Sequence, residues 1–215
     1  MHTTLNRKVI FLALTLGLAS CAGVAMHPSS ALPASCRTAC VSAFGSTLGS
    51  TRDGVAGYSN CKAGCFVYAP NQYQNTYTGI QWQCVEYARR WLLVNRGMVY
   101  GDVDIAADIW NKIEYFTRIS DTTKIAVTNY ANGSPSAPQQ GDLLIYAKEF
   151  LGTGHVAVVA EIDGGNRTLK VAEQNFSNAP WPGSYSRSIA YEERDGGVWV
   201  KDQYLLGWKR AVALH

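Results

Sequence analysis

Cys84 has no evident partner among the six cysteines of the chain. Four others form two C-x-x-x-C pairs within residues 36–65, and Cys21 ends a short apolar leader. Cys84 instead opens a helical pattern over residues 83–96. Unpaired amides and the positive end of the dipole at a helix N-terminus both favour the thiolate. The position therefore indicates a nucleophile, with a small buried cysteine as the alternative.

His155 is the histidine best placed to act as a base for Cys84. The chain has four histidines, and the other three lie near the start, in a small-residue stretch and at the last position. His155 follows Gly152-Thr-Gly and begins an apolar strand pattern. We therefore expect its imidazole at the end of a sheet, and a core histidine with a satisfied hydrogen bond is the alternative.

Glu173 is predicted to meet His155 through a β-hairpin. Asp163-Gly-Gly-Asn is a strong turn signal, and a hairpin centred on Gly164 sets His155 directly opposite Glu173. A carboxylate there would fix the imidazole tautomer and stabilise the imidazolium. A shift of one residue would separate the two side chains. Asn175 has the same strand parity and could assist or replace Glu173, which could also be a solvated strand-end carboxylate.

The order of the predicted elements indicates an α+β fold. Apolar residues at helical spacing predict helices at 83–96, which Gly97 would end, and at 104–116. Six strands with antiparallel pairing are expected after them, at residues 141–146, 155–161, 168–173, 185–191, 198–200 and 204–210. Residues 36–80 are rich in loops, and their aromatic side chains are expected to cover a core.

The N-terminal segment predicts export. Residues 1–21 have a basic start and an apolar stretch, as in a signal peptide. Leu18-Ala-Ser-Cys21 resembles a lipobox, in which Cys21 would be lipidated; an ordinary cleavage site further along is the alternative. Residues 22–35 resemble a tether, and 36–215 would form the domain. We expect an extracytoplasmic protein, lipid-anchored to a bacterial membrane (periplasmic or at the surface) or otherwise secreted.

The four paired cysteines are expected to form disulfides in an oxidising compartment. Cys36, Cys40, Cys61 and Cys65 can pair in three ways, and links between the two C-x-x-x-C motifs are favoured. A four-cysteine zinc site and four free thiols are the alternatives. No metal or other cofactor is predicted.

The composition argues against several classes of partner. The net charge is only +3 and no basic run is present, so nucleic acid is not an expected partner. No stretch after residue 25 approaches the roughly 20 apolar residues of a membrane span, so a lipid on Cys21 would be the only membrane attachment.

Several motifs in order resemble the CHAP family of cysteine, histidine-dependent amidohydrolases and peptidases. They are, in this chain, Gln81-Trp-Gln-Cys-Val-Glu-Tyr-Ala-Arg-Arg90, Asn132-Gly-Ser-Pro, Gly141-Asp-Leu-Leu-Ile, Thr153-Gly-His-Val-Ala-Val-Val, Ala172-Glu-Gln-Asn175 and Leu206-Gly-Trp208. Over residues 44–210 the chain is similar to the amidase half of glutathionylspermidine and trypanothione synthetases. The synthetase half is not part of this resemblance, so hydrolysis alone is expected.

The resemblance implies a papain-like, NlpC/P60-type fold with N-terminal helices packed on an antiparallel sheet. It also implies that Cys84 is the nucleophile, His155 the base and then acid, and Glu173 the orienting carboxylate. Gln83, Arg89 and Asn175 would line the substrate site.

The sequence allows alternative roles for several side chains. From the residues alone, Arg89 could instead pair with Glu86. Trp82, Tyr146, Trp181 and Trp208 could wall a cleft, although core packing is the default for each.

The expected function is an exported cysteine amidase or peptidase. It would hydrolyse an amide bond through a thioester, with either cell-wall peptide or a glutathionylspermidine-like polyamine amide as substrate. A non-catalytic wall-binding or interaction module on the same fold is the alternative from another class. Acyl transfer to an acceptor amine would use the same residues as hydrolysis.

Overall fold

The structure is a computed structural model and describes residues 32–212. The predicted signal peptide, the lipidation site Cys21 and most of the predicted tether at 22–35 lie outside these residues. The described part begins with a short 3₁₀ turn at Ala34–Cys36. Within residues 32–212, no helix is long and apolar enough to cross a bilayer.

A nine-stranded antiparallel sheet forms most of the described molecule. The strand order is β12-β11-β10-β9-β8-β13-β7-β6-β5. In chain order these strands are β5 (Met98–Tyr100), β6 (Tyr115–Arg118), β7 (Lys124–Ala131), β8 (Leu143–Tyr146), β9 (His155–Asp163), β10 (Thr168–Ala172), β11 (Arg187–Arg194), β12 (Gly197–Val200) and β13 (Leu205–Ala211). The central strand β8 is buried at every position, since both faces of the sheet are covered there.

Two separate ribbons precede the sheet. The first pairs β1 (Thr47–Ser50) with β2 (Ala56–Tyr58), and the second pairs β3 (Pro70–Tyr73) with β4 (Thr76–Ile80). The predicted α+β class with an antiparallel sheet is therefore confirmed, whereas the loop-rich region 36–80 contains four short strands that were not predicted.

The long helix α1 (Cys84–Arg96) starts and ends where its sequence requires. Gln83 is the N-cap residue with extended backbone, and Gly97 ends the helix in the left-handed conformation at φ 62°. The helix buries a stripe against the sheet that consists of Tyr87, Ala88, Trp91 and Leu92. This packing fixes the position of Cys84 relative to the strands.

The second predicted helix, at 104–116, is wrong in its extent. Helix α2 covers only Asp108–Lys112, and Ile113 already has an extended backbone. Phe116 is buried within β6, which pairs with both β5 and β7. The apolar side chains are buried as the helical pattern required, but pairing with two strands replaces the last helical turn. The expected set of N-terminal helices is thus one long helix and one short one.

Two disulfides join the segment before β1 to the segment after β2. Cys36 is joined to Cys65 and Cys40 to Cys61, which links the two C-x-x-x-C motifs as the sequence analysis favoured. These sulfurs form a small core of their own with Cys36, Cys61 and Cys65 almost fully buried. Because all four thiols are oxidised, they cannot supply the thiolate ligands of a zinc site.

Candidate active site

Cys84 is the first residue of α1 and the one free cysteine in the described part of the chain. Its side chain is 8% exposed and faces a cleft of about 550 Å³. The amides of the first helical turn have no partners within the helix, so they surround the sulfur with positive partial charge. The same amides can stabilise an oxyanion that forms next to the sulfur.

His155 begins β9 on the sheet side of the same cleft. Gly154 before it has φ 71°, and a Cβ atom there would lie 2.5 Å from the carbonyl oxygen of Tyr146. Only glycine allows the backbone to pass this close to Tyr146, and the next residue, His155, then lines the cleft. The ring packs among Tyr146, Phe150 and Phe176, with centroid distances of 5.5–5.8 Å. This aromatic surround shields the imidazole from water.

Glu173 follows β10 and binds the imidazole directly. Its Oε2 lies 2.8 Å from Nε2 of His155, and the carboxyl group is almost fully buried. Because the carboxylate engages Nε2, the other ring nitrogen, Nδ1, is left for the sulfur of Cys84. The structure thus brings Cys84, His155 and Glu173 together in the order that a thiol, a base and an orienting acid require.

The predicted register between His155 and Glu173 is wrong, although the two side chains meet. Strand β10 pairs with β9 through Leu169↔Ile162 and, after a bulge, through Ala172↔Val158. The turn is longer than a hairpin centred on Gly164 requires, so continuing this register sets Asn175 opposite His155. The shift is an even number of residues, so Glu173 keeps the same face and reaches His155 diagonally.

Arg187 supports Glu173 from β11 and was not predicted. Its Nε donates to Oε1 of Glu173 at 2.7 Å, and its Nη1 donates to Asp202 at 2.8 Å. Tyr146 donates its hydroxyl to the same carboxylate of Asp202 at 2.7 Å. Burial favours the neutral acid, but His155 and Arg187 outweigh it and lower the pKa of Glu173. No motif in the sequence marks Arg187, since it lies in an ordinary strand pattern.

Charge interaction between Cys84 and His155 favours the ion pair. Burial alone would raise the pKa of the Cys84 thiol, but the His155 charge, the His155 side-chain interaction and the amides of Val156 and Val85 lower it below the ordinary value. Burial alone would lower the pKa of His155, but Cys84 and then Glu173 raise it to about 9. Both shifts run in the direction that stabilises a thiolate next to an imidazolium.

Arg89 does not lie where the resemblance suggested. It is 2% exposed and is not among the residues that line the cleft. Its Nη2 donates to the carbonyl of Gly101 at 2.6 Å and to Asp102 at 3.2 Å. Its guanidinium also lies over the ring of Tyr77, 5.4 Å from the centroid. Arg89 thus contacts Asp102 and Tyr77, which line the cleft, from behind.

The predicted ion pair of Glu86 forms with Arg90 and not with Arg89. Nε of Arg90 lies 2.7 Å from Oε1 of Glu86, and the pair is nearly or fully buried. The i,i+4 spacing brings the two side chains onto one face of α1, whereas Arg89 points toward β5 and the loop after it.

Gln83 and Asn175 both line the cleft, as the resemblance implied. Nδ2 of Asn175 donates to Oε1 of Gln83 at 2.9 Å, which joins the N-cap of α1 to the segment after β10. Asn175 has φ 52°, a conformation that asparagine tolerates better than most residues. Nε2 of Gln83 donates to Asn60 at 3.3 Å.

A buried polar network behind the cleft fixes the first turn of α1. Glu86 accepts hydrogen bonds from Asn71, Thr78, Arg90 and Gln174. Oε1 of Gln174 in turn accepts from Arg90 and from the amide of Tyr58, both at 2.9 Å. Gln174 therefore connects the helix that carries Cys84 to the segment that carries Glu173.

The four aromatic residues for which a cleft wall was the alternative to core packing do not line the cleft. Tyr146, Trp181 and Trp208 are buried, and Trp82 packs on Tyr58 at a centroid distance of 4.4 Å. The aromatic side chains that do line the cleft are Phe66, Tyr68 and Tyr77. These three were predicted to cover a core, because residue spacing does not show which face of residues 36–80 borders a cleft.

No group of His, Cys, Asp and Glu side chains within residues 32–212 has the arrangement of a metal site.

Comparison with known proteins agrees with this arrangement. Residues 72–175 match the family model described as CHAP domain. The chain carries a CHAP domain. The match extends from β3 to Asn175 and includes the helix with Cys84, the strand with His155 and the position of Glu173. The family resemblance and the α+β papain-like fold inferred from the sequence are confirmed.

Two relatives place the CHAP domain within longer proteins. The chain is 33% identical over 183 residues to the bifunctional glutathionylspermidine synthetase/amidase of Escherichia coli strain K12, an alignment that covers 77% of this chain and 29% of that protein. It is 32% identical over 158 residues to trypanothione synthetase of Crithidia fasciculata, covering 73% and 24% respectively. The chain spans less than a third of the length of either relative. The CHAP domain and the amidase among these relatives support an amidohydrolase.

Proposed function

We propose that the protein is an exported thiol amidase with Cys84 as nucleophile. The Cys84 thiolate attacks the carbonyl carbon of an amide, and the amides at the N-terminus of α1 stabilise the oxyanion. As the C–N bond breaks, the His155 imidazolium gives its proton to the departing amine, which leaves a thioester. His155 then takes a proton from water, the hydroxide attacks the thioester, and the carboxylic acid departs as the thiol is restored.

The observation that carries this proposal is that Cys84 and His155 line the same cleft and that the His155 imidazole lies 2.8 Å from the buried carboxylate of Glu173. The thiol lies at a helix N-terminus, and the imidazole lies between the thiol and a buried carboxylate. A module that only binds a partner does not need a nucleophile whose pKa is lowered. No contact in the described residues favours the binding alternative over the amidase.

Export is proposed from the sequence together with the disulfides. The two links within residues 36–65 persist in an oxidising compartment. The signal-peptide pattern at residues 1–21 agrees with this location, and lipidation of Cys21 would then retain the protein at a membrane. Metabolic labelling with a palmitate analogue in a bacterial host, comparing the full chain with Cys21→Ser, tests the anchor.

Two amide substrates follow from the resemblance and the proposed location. The name of the Escherichia coli relative suggests a glutathionylspermidine-like conjugate, whereas an exported position suggests peptides of the cell wall. The purified protein should be incubated separately with glutathionylspermidine and with peptidoglycan fragments, and released amines identified by mass spectrometry. We expect cleavage of one of them by the wild-type protein and none by Cys84→Ala. Equal release by both proteins, or no release from either substrate, would contradict the proposal.

A further inference from the structure

The cleft has a second wall that the catalytic residues do not explain. In the segment 63–68, every residue except Val67 lines the cleft, and this segment lies before the CHAP match at 72–175. Phe66 is 59% exposed and Tyr68 is 82% exposed, with ring centroids 6.5 Å apart. Large exposed aromatic side chains next to a catalytic cleft are unusual on a surface unless they contact a ligand.

The segment is held rigidly although its tip is exposed. Cys65 itself lines the cleft and is bound to Cys36. Asn60 is fully buried and donates through Nδ2 to the carbonyl of Cys65 at 2.8 Å. Its Oδ1 accepts from Nε2 of Gln83, the N-cap residue of α1. The disulfide-braced segment is therefore fixed relative to the nucleophile, as a binding surface has to be.

The charges in the cleft indicate what this wall binds. Asp102 and Asp104 line the cleft, and none of its described lining residues is Lys or Arg. Burial raises the pKa of Tyr77 and Asp102 raises it further, whereas Arg89, which is paired with Asp102 at 3.2 Å, lowers it. Aromatic faces beside carboxylates attract a cation and pack against the methylene groups next to it.

Resting on the proposed amidase function, we propose that the segment 63–68, braced by the two disulfides, forms a specificity-determining wall. Phe66 and Tyr68 bind the aliphatic, positively charged part of the substrate's amine. The carboxylate of Asp104 attracts its charge, together with the exposed carboxylate of Asp102, one oxygen of which is already paired with Arg89. The amine side of the scissile amide would thus extend along this wall while the carbonyl carbon lies at Cys84. An amide with a short neutral amine would not use the wall.

The kinetic experiment compares two amides of glutathione, one with spermidine and one with propylamine. For the spermidine amide, Phe66→Ala/Tyr68→Ala should raise KM at least tenfold and change kcat less than threefold. Hydrolysis of the propylamide should change less than threefold. Tyr73→Ala removes an exposed aromatic side chain outside the cleft lining and is the matched control, with no change on either amide. Equal losses on both amides, or unchanged KM for the spermidine amide, would overturn the proposal.

A binding measurement separates this proposal from the proposed activity. Free spermidine should bind folded Cys84→Ala protein in calorimetric titrations, and the added Phe66→Ala/Tyr68→Ala changes should weaken binding at least tenfold. If the wild-type protein cleaves neither these amides nor peptidoglycan fragments but this difference holds, the amidase proposal fails and the binding wall stands. If the wild-type protein cleaves the spermidine amide and its KM does not respond to the wall variants, the wall proposal fails alone.

The disulfides provide an additional test of the same wall. Cys40→Ser/Cys61→Ser removes the link that does not line the cleft and leaves Cys65 bound to Cys36. We expect a severalfold rise in KM for the spermidine amide and an unchanged rate of Cys84 alkylation, with folding checked by circular dichroism. A loss of Cys84 reactivity in the folded variant, without a KM change, would show that the disulfides support catalysis and not the wall.

Discussion

Two buried glutamates flank the nucleophile and have different partners. Glu173 binds His155 and Arg187, whereas Glu86 binds Arg90, Gln174 and two neutral side chains and touches none of the reacting groups. Both carboxylates are almost fully buried. Burial and ion pairing are therefore not enough to assign a catalytic role, and the contact with the imidazole distinguishes Glu173 from Glu86.

Replacing each glutamate by glutamine should show the largest difference in kcat between Glu173 and Glu86. Glu173→Gln should lower kcat by about 10²- to 10⁴-fold, because the imidazole loses the carboxylate that orients it and stabilises its charge. Steady-state kinetics on the cleaved amide measures this, with the free energy of unfolding as a check on folding. A decrease below tenfold would show that Glu173 does not orient the imidazole.

Glu86→Gln should affect stability and not the chemistry. The change leaves the Arg90 guanidinium buried without its counter-charge, and we expect a loss of about 3 kcal/mol in the free energy of unfolding. Glu161→Gln is the matched control, since Glu161 is partly exposed and pairs with Lys170 at the surface. Urea denaturation should show a loss of under about 1 kcal/mol for this control. Similar losses in both variants would mean that the Glu86 network contributes little.

Arg187→Met tests whether the guanidinium on β11 keeps the Glu173 carboxyl group ionised. The loss of a hydrogen bond from a charged donor should lower kcat/KM about tenfold. Without Arg187 the pKa of Glu173 rises, so the carboxylate becomes protonated at a higher pH as acid is added. The acid limb of the pH profile should therefore move to higher pH, while the alkaline limb, set by the pair of Cys84 and His155 near pH 9, should stay. An acid limb that moves down would contradict this assignment.

The smallest effect is expected for Gln174, which joins the two regions. Gln174→Met removes hydrogen bonds to Glu86, Arg90 and the amide of Tyr58, and should cost about 1–2 kcal/mol of stability with a severalfold fall in kcat. Asn132→Leu removes two hydrogen bonds to Val200 far from the cleft and should cost similar stability with unchanged kcat. Unchanged kcat in both variants would show that Gln174 has no positioning role.

The helix of Cys84 and the strand of His155 could be predicted because local signals define them. Each signal acts on residues near it in the sequence. The apolar stripe and Gly97 define the helix that begins at Cys84, and Gly152 and Gly154 lie directly before His155. The predicted meeting of His155 with Glu173 depended on strand parity, which an even register shift preserves, so an incorrect register still gave the correct neighbour.

Other features depend on contacts between distant segments, and sequence patterns do not encode these. The helical spacing at Ile109, Ile113 and Phe116 also suits a short helix that turns into a strand, and pairing with β5 and β7 decides between them. Arg89 and Arg90 are adjacent, so one step around the helix decides which of them pairs with Glu86. The support of Glu173 by Arg187 arises only when β10 and β11 pair.

The proposed ion pair of Cys84 and His155 is tested most directly by alkylation of Cys84 with iodoacetamide across pH. Mass spectrometry of the peptide that contains Cys84 separates this label from any on Cys21. In the wild-type protein the labelling midpoint should lie below about 8.5, the value of an unperturbed thiol. In His155→Ala it should rise above that value, since burial, the largest influence, is then opposed only by the amides of Val156 and Val85. A wild-type midpoint at or above that of a free thiol, or one that His155→Ala leaves unchanged, would contradict the account.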